Sequence, residues 1–294
     1  MEYSAAEQSN QGGRDYNEDR SAIFEREDAV LLVLADGLGG HAGGDLASQA
    51  LIDALSTSFK KATTAQLENA ENFLILSINY AHHMIHRRAV AQGYAVESPK
   101  TTCVVCLVYK GIAQWAHSGD SRLYLFHKRK ILEQTEDHVS KKVGVNGNHP
   151  INRCVGGVET PKPEISEKHE LIEGDVFVLA SDGAWASFDP IDLKDYVDPE
   201  HPTLGLDSLL QTLENRNKAP SDNLSIVILF WGIKQLDKQY SNDEENLDID
   251  TIELIGTPSF KPVNPKNTEK FDMDELDSTI FEIENFISDL DDKL

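Results

Sequence analysis

Residues 29–37 read Ala-Val-Leu-Leu-Val-Leu-Ala-Asp-Gly, an apolar run closed by an aspartate and a glycine. Successive side chains of a strand point to opposite faces, so a run without polar alternation is a strand covered on both sides. The same form recurs at Thr102–Val108, Asp175–Ala180 and Asn223–Trp231. In Thr102–Val108, Val104, Cys106 and Val108 share one face while Cys103, Val105 and Leu107 share the other. Ile112–Ala116 and Arg122–Phe126 are shorter and alternate, and they read as a hairpin around the turn Ser118-Gly119-Asp120. Two helical patterns intervene. Asp45–Phe59 places Ala47, Ala50, Leu51, Ala54 and Leu55 on one stripe, and Leu67–Ala89 does the same with Leu67, Ala70, Leu74, Ile78, Ala81 and Ile85. A third helix is expected from Leu204 to Asn215. Doubly covered strands with few helices predict an α+β fold in which two mainly antiparallel sheets pack together with helices outside.

The chain has 294 residues, 40% hydrophobic and 26% charged, which is room for one large domain or two small ones around a sizeable core. Fibrous and wholly disordered classes are excluded. No apolar run approaches the roughly 18 residues of a membrane span, so no membrane association is expected. The opening MEYSAAEQSN has neither the basic nor the apolar region of a secretory signal. Three cysteines argue against a disulfide framework and point to a reducing, cytoplasmic setting. The charge is lopsided, with 27 basic against 50 acidic residues and a net −23. From Gln235 onward there are 17 acidic and 5 basic residues, so the chain has a body and an acidic tail. Such a protein repels a phosphate backbone, and nucleic acid is not an expected partner. Divalent cations are.

The body is expected to be one domain over residues 1–234. Residues 235–270 are polar, with Pro258, Pro262 and Pro265, and read as a linker. In residues 271–294, Met273, Leu276, Ile280, Ile283, Ile287, Leu290 and Leu294 step by three and four, the apolar seam of an acidic amphipathic helix. That seam is expected to dock on the body or on a partner protein.

The aspartates fall in a pattern. Asp36 and Asp182 each close a buried strand and precede a glycine. Asp120 lies in a glycine turn after a strand, and Asp222 stands just before one. Carboxylates at strand ends, with a glycine carbonyl left accessible, form an oxygen-only donor set suited to Mg²⁺ or Mn²⁺. Zinc calls for clustered His or Cys. Asp-Gly is also an ordinary turn dipeptide, and four such sites do not name a reaction.

The motifs do resemble a known family. Gly13-Arg14-Asp15-Tyr16-Asn17-Glu18-Asp19 is similar to the N-terminal Arg-x-x-Asn-Glu-Asp motif of the metal-dependent Ser/Thr protein phosphatases (type 2C, PPM family). The same order follows in Asp36-Gly37-Leu38-Gly39-Gly40-His41, Thr101-Thr102, Gly119-Asp120-Ser121-Arg122 and Thr135-Glu136-Asp137-His138. It continues through Arg153-Cys154-Val155-Gly156-Gly157, Ser181-Asp182-Gly183 and Asp222-Asn223. The resemblance covers residues 8–232, and the Asp-Gly-x-Gly-Gly-His form resembles the bacterial branch.

That resemblance implies a four-layer α/β/β/α sandwich with two Mn²⁺ or Mg²⁺ ions between the sheets and a weaker third. By motif position, Asp36 bridges the two ions, the Gly37 carbonyl ligates one, and Asp182 and Asp222 hold the other. Glu18 acts on the second ion partly through water, Asp120 shares the third with Asp182, and Asp19 and Asn223 support the site. Arg14 binds the substrate phosphate. The implied reaction is Mn/Mg-dependent dephosphorylation of phosphoserine and phosphothreonine in proteins by metal-activated water, carried out by a cytoplasmic monomer. Two departures stand out: Leu38 replaces the histidine that many eukaryotic members carry after Asp-Gly, and only Val139–Asn148 separate His138 from His149. His41 lies close enough in sequence to stand in as an acid, as does a metal-bound water.

Two other readings are open. One is a pseudophosphatase-like regulatory binding module that recruits a partner through the acidic C-terminal helix. The other is a hydrolase of small phosphoesters. Three further motifs read as structural. Cys103 and Cys106 fall on opposite faces of a strand and belong to the core. His82, His83 and His86 lack the glutamate of a helical zinc motif and read as a solvent-facing stripe beside Arg87 and Arg88. Gly37–Gly44 lacks the Lys-Ser/Thr of a P-loop, which excludes nucleotide binding.

Overall fold

The computed structural model describes residues 1–38, 43–96, 98–128, 130–141, 150–187, 197–216 and 222–236. The linker and acidic helix expected over 235–294 lie outside the described residues from 237 onward, as does His41. The first strands are β1 (Tyr3–Asn10), β2 (Arg20–Glu25), β3 (Ala29–Ala35) and the short β4 (Gly37–Leu38). Helices α1 (Gly44–Lys61), α2 (Thr64–Glu68) and α3 (Ala70–Ala91) follow, then β5 (Lys100–Thr101), β6 (Cys103–Tyr109) and β7 (Ile112–Ser118). Next come β8 (Arg122–His127), β9 (Lys130–Gln134), β10 (Glu164–Ile165), β11 (His169–Glu170) and β12 (Asp175–Ala180). The chain then forms α4 (Asp182–Trp185), α5 (Pro202–Arg216) and β13 (Leu224–Trp231).

One sheet has the order β1-β13-β12-β8-β9; the other has β10-β7-β6-β3-β2, with β11 also on β7. The pairing is antiparallel, for example Leu32 opposite Cys106 and Val178 opposite Ile228. The two faces of each central strand enter two different cores. Val30, Leu32, Leu34, Val104, Cys106 and Val108 pack between the sheets against Phe177, Leu179 and Leu229. Leu31, Val33, Cys103, Val105 and Leu107 face outward onto α1 and α3, through Leu51, Leu55, Leu74 and Ile78. On the far side, Val178, Ile226 and Ile228 meet Leu206, Leu210 and Leu213 of α5. The layers are therefore helix, sheet, sheet, helix, and they follow from strands that are apolar on both faces.

Three local expectations need correction. The segments around Ser118-Gly119-Asp120 do not form a hairpin. β7 pairs with β6, whereas β8 lies between β12 and β9 in the opposite sheet. Both strands are buried through their central residues, so each needs neighbours and cover that a surface hairpin cannot supply. Gly119, with φ of 118°, turns the chain from one sheet to the other, and an added Cβ would lie 2.7 Å from the Thr102 side chain. The apolar stripe beginning at Leu67 is split rather than continuous. Thr63 and Gln66 form a capping box that starts α2 early, and Asn69 leaves helical conformation before α3. Finally, His82 and His86 are buried at 3% and 5% exposure instead of facing solvent. His86 Nε2 donates to the carbonyls of Gly156 and Gly157 (2.8 and 3.0 Å), while His82 Nδ1 accepts the Gly156 N–H (3.1 Å). The loop packed over α3 covers them, and helix periodicity alone carries no trace of that loop.

Phe177 is fully buried between the sheets and meets Trp115 edge-on with ring centroids 6.0 Å apart. Phe177→Ala is expected to cost about 3–5 kcal/mol. The guanidinium midpoint should fall at unchanged m-value; a midpoint within error of wild type would show that the inter-sheet core is not the one described.

Candidate metal centre

The sequence-selected residues arrive at one end of the sandwich from separate elements. Asp36 follows β3, Asp120 lies in the β7–β8 crossover, Asp182 opens α4 two residues after the end of β12, and Asp222 stands two residues before the start of β13. Arg14, Glu18 and Asp19 lie between β1 and β2. Antiparallel neighbours are what bring these ends together. β12 and β13 pair with Ala180 opposite Ile226, so Asp182 and Asp222 emerge side by side. Gly183 allows that approach, since a Cβ there would come within 2.2 Å of the Asn223 carbonyl oxygen. The Asp36 and Asp182 carboxyls lie close enough across the gap between the sheets to act on each other's charge.

Backbone contacts hold the frame. Asp36 N–H donates to Thr102 Oγ1 (2.9 Å), and its carbonyl accepts from Thr102 N–H (2.8 Å) and Thr101 Oγ1 (2.9 Å). The Glu18 carbonyl accepts from Gly37 N–H (3.2 Å) and from Ser48 Oγ (2.6 Å). Asn223 is the knot of the loop. Its Oδ1 accepts Glu18 N–H (2.9 Å), and its Nδ2 donates to the carbonyls of Gln11 (2.7 Å) and Tyr16 (2.9 Å). Arg14 reaches across this loop and places Nη2 2.6 Å from Asp222 Oδ2. Trp185 Nε1 donates to the Asp120 carbonyl (3.0 Å).

The electrostatics are dominated by like charge. Burial, then the charges of Asp19, Asp182, Asp120 and Asp222, hold the Asp36 carboxyl well above its ordinary range. Burial pushes Asp19 up to about 7, with the hydroxyls of Ser225 and Ser181 working the other way. Asp120 is raised to about 6 by burial and then by Asp182, and Asp182 is raised by burial and then by Asp222. Among the described residues, the buried oxygens Asp19 Oδ2 and Asp120 Oδ1 meet no hydrogen-bond donor. A set of mutually repelling, partly orphaned carboxylate oxygens is the complement of a hard divalent cation, and the residues fit one.

A second group offers ligand-type atoms: His117, His138 and Glu164 lie with one such atom each within 4.8 Å of the others. Its geometry is not that of a cation site. The two imidazoles stack at 4.4 Å and 11°, so their in-plane lone pairs run parallel and do not converge. His117 Nε2 donates to the Glu136 carbonyl (2.9 Å). His138 Nδ1 accepts Gly119 N–H (3.3 Å), which leaves the proton on Nε2, 3.2 Å from Glu164 Oε2. The Arg153 guanidinium, 3.2 Å from the same Nε2, adds a competing positive charge. Glu164, Ser48 and Trp185 escaped the sequence reading. They come from segments remote in sequence and carry no spacing signal.

The family model described as "Protein phosphatase 2C" matches residues 8–216, and the chain belongs to the protein phosphatase 2C family, whose members depend on metal. The chain is 35% identical over 128 residues to "Serine/threonine phosphatase stp" of Listeria welshimeri, covering 42% of this chain and 50% of that protein. It thus spans about half the length of that relative. "Protein phosphatase PhpP" of Streptococcus pneumoniae is 23% identical over 217 residues, covering 69% of this chain and 87% of the relative. Among solved structures, "Serine/threonine phosphatase Stp1 from Staphylococcus aureus" is similar with a TM-score of 0.66 and 27% identity, over 78% of this chain and 97% of that one.

Unfolded aspartates titrate near 3.8, whereas in the fold Asp19 titrates at about 7 with Asp36 and Asp182 also raised. Above the unfolded value the folded state binds more protons, so stability falls as pH rises toward the folded values. His82, whose imidazole is held down near 3, opposes this only below its ordinary 6.5. Protein treated with EDTA is therefore expected to melt at lower temperature at about pH 8 than at about pH 6.5, and Mn²⁺ at pH 8 should reverse the loss. A flat profile in EDTA would contradict the buried-carboxylate account.

Proposed function

We propose that this protein removes phosphate from phosphoserine and phosphothreonine of protein substrates, with Mn²⁺ or Mg²⁺ held by the strand-end carboxylates. The observation that carries this reading is the acidic cluster itself, with the Arg14 guanidinium at its edge, half exposed and already engaging a planar oxyanion. The names of the Listeria, Streptococcus and Staphylococcus relatives support the same activity.

Asp36 and the Gly37 carbonyl would hold one ion, with Asp36 shared by a second ion on Asp182 and Asp222. Glu18 would act on the second ion partly through water, and Asp120 with Asp182 would take a weaker third. When bound, the ions supply charge neutralisation at the phosphoryl oxygens and a nucleophilic water at neutral pH. The chain's own part is positioning. Arg14 has a planar fork suited to two phosphate oxygens, and its Nη2 now meets a single carboxylate oxygen, Asp222 Oδ2. Asn223 fixes the loop that carries Arg14 and Glu18, and the nearby hydroxyls of Ser181 and Ser225 favour the charged form of Asp19 against its burial. The departing seryl or threonyl oxygen must gain a proton, and Leu38, next to Gly37, has none to give.

The complete carboxylate set argues for turnover over a binding module, which would have no need of it. A cytoplasmic setting is part of the same proposal, supported by the small, odd number of cysteines in the sequence. Residues 271–294, outside the described residues, are proposed to dock through their apolar seam on a partner protein or on the body.

Asp182→Asn is expected to abolish turnover of a phosphothreonine peptide at saturating Mn²⁺; activity within about tenfold of wild type, a barrier change of about 1.4 kcal/mol, would refute the ligand assignment. Full activity on p-nitrophenyl phosphate with none on the peptide would favour a small phosphoester substrate. For Arg14→Ala the expectation is a raised KM with a smaller fall in kcat and near-normal Mn²⁺ affinity by calorimetry. Collapse of Mn²⁺ binding in that variant would contradict the phosphate role.

A further inference from the structure

The motif Thr135-Glu136-Asp137-His138 has no part in the chemistry outlined above, yet its residues converge on the crossover that carries Asp120. Thr135 Oγ1 accepts Leu123 N–H (3.0 Å). Asp137 grips Arg122 with two bonds of 2.8 and 2.9 Å, and the Arg122 guanidinium lies 3.5 Å over the Trp185 ring. Trp185 in turn holds the Asp120 carbonyl. His138 acts on the residue just before. Its backbone N–H donates to the Gly119 carbonyl (2.9 Å), and its Nδ1 accepts Gly119 N–H (3.3 Å). Both polar groups of one buried glycine are thus held by one histidine.

We propose that His138 is a positioning residue for Asp120, clasping Gly119 through backbone and imidazole so that the Asp120 carboxylate stands in the acidic cleft. The proposal rests on Asp120 being a cation ligand, as assigned above. The crossover has little slack to find another pose. Gly119 has φ of 118°, Thr102 fills the space a Cβ would need, and Ser121 Oγ is tied to Thr102 Oγ1 at 2.7 Å. The same Thr102 hydroxyl receives Asp36 N–H, so the crossover and the end of β3 share one anchor.

The imidazole is itself fixed. It is buried, stacks on His117, and has Glu164 Oε2 as the acceptor for its Nε2 proton. An acceptor at the δ position is the property that matters, because losing it leaves a buried Gly119 N–H unpaired. Asparagine carries an oxygen at that position; leucine fills the volume without one. His138 also joins the crossover to a second element: its carbonyl accepts Asn152 N–H (2.9 Å), beside the bridge Val139–Ile151. The clasp therefore ties Asp120 to both ends of the segment that Val139 and Ile151 bracket.

The test is a Mn²⁺ titration of the full chain, with free Mn²⁺ read by electron paramagnetic resonance. Wild type is compared with Asp120→Asn, His138→Leu, His138→Asn and the double variant Asp120→Asn/His138→Leu. Asp120→Asn and His138→Leu are each expected to weaken the weakest class of site by about tenfold, and His138→Asn by less than about twofold. The double variant should bind no more weakly than Asp120→Asn alone, since both changes act on one carboxylate. If Asp120→Asn shifts the isotherm and His138→Leu does not, His138 does not position Asp120. An isotherm untouched by Asp120→Asn would instead overturn the ligand assignment and the proposal with it. Should His138→Leu fail to fold, Glu164→Ala removes the acceptor at the exposed end of the clasp. Without that acceptor Nε2 is free to accept from Arg153, which moves the proton to Nδ1 and ends its role as acceptor for Gly119 N–H. The variant is expected to weaken the same site by about threefold, and an unchanged isotherm there would also overturn the proposal.

Discussion

Like charge crowded at the end of an apolar sandwich is the constraint on which the rest of this structure turns. Asp36, Asp182, Asp120 and Asp19 each sit where burial and a neighbouring carboxylate oppose ionisation. Left alone, such groups would spread apart or hold protons. They are kept together because each leaves the end of a strand, or a turn between strands, whose register is set by two hydrophobic cores. The stiffness of the inter-sheet layer, with Phe177 and Leu179 against Leu32 and Val104, is what offsets the repulsion at its rim. The divalent cation proposed for the cleft would relieve the same repulsion from inside.

The frame around the cleft uses backbone groups more than side-chain charge. Thr101 and Thr102 secure the Asp36 peptide, Asn223 ties three points of the loop that carries Arg14 and Glu18, and the Glu18 carbonyl receives Gly37 N–H and Ser48. Contacts of this kind bear no net charge, so they fix position without adding to the field. Arg14 is the exception. Paired with Asp222, it lends a positive charge at the edge, where a phosphate would arrive.

Much of this was legible in the residues. The division of Thr102–Val108 into two faces holds side chain by side chain, because strand alternation is a geometric necessity. The stripes of α1 and α3 are buried as their spacing requires. Asp36, Asp120, Asp182 and Asp222, each placed beside a buried strand in the sequence, do converge at one end of the sandwich. What the residues concealed depends on packing between remote segments. Ser118-Gly119-Asp120 has the composition of a hairpin turn, and only the partners of β7 and β8 reveal a crossover. Asn69 breaks a helix whose apolar spacing runs on undisturbed. His82 and His86 look like a polar stripe until the Gly156–Gly157 loop is laid over them. Glu164 and Trp185 join the crossover from far along the chain.

The central claim is that the strand-end carboxylates gather around divalent cations. Crystals grown with Mn²⁺ and measured at the manganese absorption edge address it directly, because anomalous peaks locate the ions without reference to the fold. The account predicts two strong peaks, each within about 2.0–2.3 Å of carboxylate oxygens, as hard octahedral ions require. Asp36 should be common to both, with Asp182 and Asp222 on one. Peaks confined to His117, His138 and Glu164, or none in the cleft, would contradict it.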